Sequence, residues 1–237
     1  MQYQNRIVIY MDILGFKGEV KKASSDELLL DKLYNAIKHI RDERSANQNY
    51  ASNINDFQFS FVSDSIIISA PSENDNCLYF AFVMAEYMII ELSYYGLMVR
   101  GGISVGDMIH EDDIAFGPAL NDAVNLEQNI AIYPRVIFSD ETFNKIDNML
   151  KDKDAYSYPY DIIDFKKLIK TYKNEINETW HYLDFVSQRQ FFDDNEEYAK
   201  FMNNIKEFIY SRKKEFKDNK HILDKYIWLE NYCNNVK

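Results

Sequence analysis

The stretch that most constrains this chain is RIVIYMDILGF, residues 6–16. A strand with one wet face alternates apolar and polar side chains, whereas Ile7, Val8, Ile9, Tyr10 and Met11 follow one another without a break. Such a run reads as a strand buried on both faces, so the fold needs a layer on each side of its sheet. The run then ends in Asp12. A carboxylate at the mouth of an apolar strand loses hydration unless a partner or a cation compensates it.

The remaining pattern supplies the layers. SSDELLLDKLYNAIKHIRDE opens with a capping-box pattern, Ser24 and Glu27, and carries Leu28, Leu29, Leu33, Ile37 and Ile40 at helical spacing. A polar loop, RSANQNYASNIN, leads to FQFSFVSDSIIISAP, which reads as two strands joined by a tight turn at Ser63 and Asp64. A long apolar helix is expected from about Asp75 to Tyr95, broken by Gly96. It contains Glu86 and Glu91 and reads as a core helix rather than a membrane span. LMVRGGISVGDMIHEDDIAFG reads as a second strand pair, with a helix from Pro118 and a short strand PRVIFS after it. Further on, DETFNKIDNML reads as helix, DAYSYPYDIIDF as loop or edge strand, WHYLDF as a last strand, and the stretch from Asp193 as charged, aromatic helix. The expected fold is α+β and ferredoxin-like, a mixed sheet with packed helices. Residues 1–190 would form the catalytic domain, with 191–237 as a helical extension packed on it.

In such a sheet the first strand lies beside the first hairpin, so Asp12 and Asp64 reach one spot. Two adjacent carboxylates repel, which raises a pKa or recruits a cation, and magnesium or manganese suits oxygen ligands. Strand parity puts Gln58, Ser60 and Asp64 on one face, opposite Phe57, Phe59 and Phe61. Arg100, Gly102 and Ser104 likewise alternate with Val99, Gly101, Ile103 and Val105, leaving a small polar surface with a single cation. After Asp12, Gly15 and Gly18 mark a turn into a helix whose amides suit phosphate oxygens, although both glycines also fit a plain turn.

A net charge of −11 without a dense basic block excludes broad nucleic-acid or anionic-membrane binding. Cys77 and Cys233 stand far apart, which fits a reducing cytosol rather than a disulfide or zinc framework, and no cleavable amino-terminal signal is read. His39, His110, His181 and His221 show no ligand spacing.

YMDILGF, FVSDSIIIS, VRGGISVGDM and FGPALNDAVNLE, in that order between about residues 6 and 140, resemble the class III nucleotide cyclases. With KYIWLENY near the end, the chain is most similar to the bacterial pyrimidine cyclases of the Pycsar anti-phage systems. The resemblance implies that Asp12 and Asp64 hold two divalent cations, manganese or magnesium, with the Ile13 carbonyl completing the site. It implies that Asn121 orients the nucleotide. Where the purine cyclases have a phosphate-stabilising arginine this chain has Asn125, and Arg100 is the candidate replacement. Gly15 and Phe16 are candidates for contact with the phosphates. The lysine and aspartate that read adenine are replaced by Gln58 and Ile114, so adenine is not supported; Gln58, with Ser60 beside it, has the donor and acceptor to read uracil or cytosine.

The implied protein is thus a cytoplasmic homodimer with sites between its subunits, converting UTP, or less readily CTP, to the cyclic nucleotide. Its product would act on a separately encoded effector. Three rivals remain open: a degenerate nucleotide-binding regulator, a diguanylate cyclase, which the second hairpin does not favour, and an RNA-binding module, which the acidic charge opposes.

Overall fold

The computed structural model describes residues 2–51, 56–73, 75–151 and 165–236. The apolar run is strand β1 (Gln4–Ile13), followed by helices α1 (Phe16–Ala23) and α2 (Glu27–Ala51), strands β2 (Gln58–Val62) and β3 (Ser65–Pro71), and helix α3 (Asp75–Tyr94). Strand β4 (Val99–Glu111) folds back on β5 (Ile114–Phe116) and leads into α4 (Pro118–Asn129), β6 (Val136–Ser139) and α5 (Asp140–Lys151). A hairpin of β7 (Ile169–Lys173) and β8 (Thr179–Leu183) precedes α6 (Asn195–Glu215) and α7 (Lys220–Asn234).

The strands lie in the order β2-β3-β1-β4-β6-β8-β7, with β5 on β4. Among the described residues only the β4–β6 pairing is parallel. Strands β1 to β4 with their helical crossovers form the βαββαβ unit of a ferredoxin-like fold, and β6, β8 and β7 widen it. The α+β architecture with a mixed sheet is therefore the one the pattern predicts.

The uninterrupted apolarity of β1 has a direct cause. Ile7, Ile9, Met11 and Ile13 enter the main core with Phe59, Ile66, Ile68 and Ile103. Val8 faces the other way and packs with Ile67, Met108, Ala119 and Ala123, the last two from α4. Gly102 permits that second layer: a Cβ there would lie 2.3 Å from the Ala123 carbonyl oxygen and 2.6 Å from Leu126 Cβ. Helix α4 consequently covers the face of β4 that parity reasoning leaves as an open polar surface, and Ser104 Oγ donates to the Ala119 carbonyl at 2.6 Å.

Helix α3 is apolar on nearly every side because the fold covers it on several sides. Its Cys77–Tyr94 segment has a mean hydropathy of 1.4 and is long enough to cross a membrane, yet 67% of it is buried within the fold. Phe82, Ala85 and Met88 are fully enclosed. The same core receives Phe201, Ile205 and Ile209 of α6 and Leu229 and Tyr232 of α7.

Three local expectations are corrected. Ser24 does not open α2: it is the C-cap residue of α1, its hydroxyl donating to the Lys21 carbonyl, while Asp26 accepts from the Leu29 amide at 3.0 Å and starts α2. That helix continues through Ala51, so most of the expected polar loop is helical. Strand β7 was not anticipated; it is a short, lysine-bearing edge strand, and edge strands need no strong apolar alternation. The expected loop or edge strand over residues 154–165 lies almost wholly outside the described residues.

Candidate functional site at the end of β1

The carboxyl end of β1 is held from both sides. In register, Asp12 lies between Ser65 of β3 and Arg100 of β4. The turn of the first hairpin is tied to it, since the Ile13 amide donates to the Asp64 carbonyl at 3.0 Å. The Leu14 amide donates to Met98 O at 2.7 Å, which fixes the exit of the strand. Two aspartates distant in sequence are thereby brought to one end of the sheet.

A third carboxylate joins them. Ala119, Ala123 and Glu127 form the buried stripe of α4, and Glu127 is only 3% exposed. Its Oε1 lies 2.6 Å from Arg100 Nη2, although the approach is not aligned as a hydrogen bond and, among the described residues, Arg100 Nε has no partner. Burial, then Glu127, then Asp64, pushes the Asp12 carboxyl up to about 6, with Arg100 acting against them. Burial also raises Glu127, opposed by Arg100 and by Lys225 of α7. Tyr10, two residues before Asp12 on the same face, bonds Ser65 Oγ at 2.8 Å, and burial raises its pKa with smaller contributions from Asp12, Glu127 and Asp64.

Sequence reasoning missed Glu127, Tyr10 and Lys225. The available signal for Glu127 was its place at the end of an Ala-x-x-x-Ala-x-x-x-Glu stripe, where a carboxylate on a buried helical face demands an explanation.

The other candidates are distributed differently. Gly15 caps α1 in the left-handed region, φ 75°, and is exposed. Phe16 packs its ring against the main core, so its backbone is what a ligand can use. Ser60 is buried and engaged: its hydroxyl lies 2.7 Å from His110 Nε2 and 2.5 Å from the Asp112 carbonyl. Gln58 Oε1 accepts from the Asp112 amide at 3.3 Å. Asn121 and Asn125 are exposed on the flank of α4 turned away from Glu127, and Asn125 Oδ1 accepts from Asn129 at 2.7 Å. Within one chain they do not join the aspartates.

The donor set fits a hard cation. Two carboxylates and the Ile13 backbone carry oxygen ligands, and burial first, with the neighbouring carboxylates second, disfavours the Asp12 charge that a cation would offset. Among the described residues no group of three or more His, Cys, Asp and Glu side chains is arranged as a metal centre. Two side chains suffice for magnesium, which keeps several waters and shares phosphate oxygens.

No family model and no curated protein matches the chain. Among solved structures it is similar to the adenylyl cyclase CyaB from P. aeruginosa, 16% identical over 83% of this chain and 97% of that one, with a TM-score of 0.47. It is similar to a bacterial light-regulated adenylyl cyclase, 14% identical over 88% of this chain and 100% of that one, TM-score 0.48. The monomeric guanylyl cyclase domain of the RhoGC fusion protein from the aquatic fungus Blastocladiella emersonii is 14% identical, covering 77% of this chain and 96% of that one, TM-score 0.49. Likenesses of this size transfer neither an activity nor a site.

Proposed function

We propose that the chain is a nucleotide cyclase acting on a pyrimidine nucleoside triphosphate, UTP ahead of CTP. The ribose 3′-hydroxyl gives its proton to water as its oxygen bonds to the α-phosphorus, the bond from that phosphorus to the bridging oxygen breaks, and pyrophosphate leaves. The observation that carries this reading is the convergence of Asp12 and Asp64 at the end of β1, beside the turn at Gly15.

Asp12, Asp64 and the Ile13 carbonyl would hold the divalent cations, which when bound acidify the 3′-hydroxyl and neutralise triphosphate charge. The buried Glu127 and the half-buried Arg100 form a pair that sets the local potential around Asp12. Arg100 contacts phosphate in this reading only by leaving Glu127. Asn121 and Asn125, exposed and turned away from their own aspartates, are placed to serve a second copy of the chain. That placement supports a homodimer with composite sites. The exposed side chains of Val62, Ile114 and Phe116 supply apolar surface for it.

The pyrimidine assignment rests on Gln58 and Ile114 standing where adenine-reading residues are expected, and Ile114 is 61% exposed. An anti-phage role, with a cytoplasmic cyclic nucleotide acting on a separately encoded effector, rests on the resemblance alone. The alternative is a degenerate cyclase-like protein that binds nucleotide without turnover. The Asn125–Asn129 and Arg100–Glu127 contacts favour it, since they leave neither side chain free for phosphate.

Incubation with ATP, GTP, CTP and UTP separately, with manganese and mass spectrometry of the products, decides between them. A cyclic UMP or cyclic CMP product that disappears in Asp64→Asn supports the pyrimidine cyclase. A purine product corrects the base, and nucleotide binding without any product selects the degenerate reading.

A further inference from the structure

A cavity of about 270 Å³ lies between the glycine turn after Asp12 and the C-terminal helix pair, with Gly15, Gly18, Lys22, Arg212, Lys225 and Tyr226 among its walls. Three of these residues are cations, and two are already neutralised. Arg212 Nη1 lies 2.9 Å from Glu19 and 2.8 Å from Glu215, while Lys22 is 3.0 Å from Glu19 and also contacts Glu215. Two cations face two carboxylates in one closed network.

Lys225 stands apart from that network. Among the described residues it has no hydrogen bond or close ion pair, and the charged groups it feels are Arg100 and Glu127. Glu127 is already in contact with Arg100. A half-buried ammonium beside an arginine, with its one nearby carboxylate claimed, is an uncompensated positive charge directed at a cavity. Burial and Arg100 both hold its pKa below the ordinary lysine value.

The helix that carries it is firmly placed. Trp228, one turn beyond Lys225, stacks on Tyr133 with centroids 5.4 Å apart, and the Arg135 guanidinium lies 5.2 Å from its ring. Tyr232 donates to Asp184 at 2.6 Å, and Leu229 is fully buried. A cation on so well anchored a helix has a defined position rather than a sweep through solvent.

We infer that Lys225 is a phosphate-binding residue, which the C-terminal helix delivers to receive the phosphate chain of an anionic ligand lying over the Gly15 turn. Resting on the cyclase reading, this makes the C-terminal helices part of the substrate site rather than an appendage. The chemistry it recognises is a linear polyphosphate.

Calorimetric binding of inorganic tripolyphosphate with magnesium, on the full chain, tests it without requiring turnover. Lys225→Met and Lys225→Gln should each weaken binding about tenfold or more, as loss of one charge-assisted contact implies, while Lys225→Arg stays within about threefold. Lys220→Met, an exposed lysine on the same helix, should bind as the wild type does. Unchanged affinity in Lys225→Met and Lys225→Gln, or no binding by the wild type, overturns the assignment. A wild type that binds tripolyphosphate through Lys225 but cyclises none of the four triphosphates keeps this site and rejects the cyclase. A wild type that cyclises UTP with Lys225→Met unaltered in affinity and KM keeps the cyclase and rejects this site.

Discussion

Replacing Asp12 with asparagine should make the metal-free protein more stable at neutral pH while abolishing turnover. The carboxyl is partly buried between Ser65 and Arg100, and burial with Glu127 and Asp64 raises its pKa to about 6. An unfolded aspartate titrates near ~3.9, so the native state disfavours the ionised form by about 3 kcal/mol. Because the folded pKa is the higher one, the folded chain holds the extra proton between the two values. Stability is therefore greatest below about pH 4, falls as the pH rises, and levels off once the folded group has ionised. Asparagine never ionises, so Asp12→Asn gains up to ~3 kcal/mol at pH 7 and nothing in acid. With an m-value of about 3 kcal/mol per molar, the urea midpoint rises by about 1 M.

Urea unfolding followed by tryptophan fluorescence from pH 4 to 8, in chelator, measures this gain. Manganese should then reverse the order. At a thousandfold excess over its Kd it adds about 4.1 kcal/mol to the wild type, more than the variant's gain, and little to the variant. A variant less stable than wild type at pH 7 in chelator, or a wild-type midpoint that does not fall between pH 4 and 7, refutes the electrostatic account of this site.

Three further outcomes follow from packing and charge. Gly102→Ala puts a Cβ 2.3 Å from the Ala123 carbonyl, so α4 and Glu127 with it must shift; a loss of about 1–3 kcal/mol in urea, with reduced turnover, is expected. Arg135→Lys removes a guanidinium 4.0 Å from the Tyr172 ring centre and its hydrogen bond to Tyr172 Oη. The flat fork has no lysine equivalent, so a loss of about 2 kcal/mol and an altered near-ultraviolet dichroism from Trp228 should appear. Glu86 is fully buried, and burial with Asp184 nearby raises its pKa well above the usual range. Holding that proton becomes more costly as pH rises, so Glu86→Gln should stabilise the chain more at pH 8 than at pH 5, read as the difference in urea midpoints.

Much of the architecture was legible because it is written in local pattern. The strand β1, the hairpin turning at Ser63 and Asp64, the helix closed by Gly96 and the helix opened by Pro118 each have a periodicity or a turn residue that names them. The extension of α2 and the edge strand β7 were missed because their sequences are polar and tertiary packing, not propensity, selects their state. Gln58 and Ser60 share a strand face by parity. Their engagement by Asp112 and His110 depends on how the β4–β5 hairpin folds over β2, which no local signal reports.

From the sequence alone came the demand that β1 be covered on both faces and that the charge of Asp12 be answered, since unbroken apolarity and a terminal carboxylate state those costs directly. What answers that charge was decided only in three dimensions. Asp64, brought by a hairpin, and Glu127, on a helix laid against Gly102, crowd it further, and Arg100 of β4 is the cation that acts against them. A charge is read from one residue, but its compensation is a sum over neighbours, and the tertiary fold alone determines which neighbours those are.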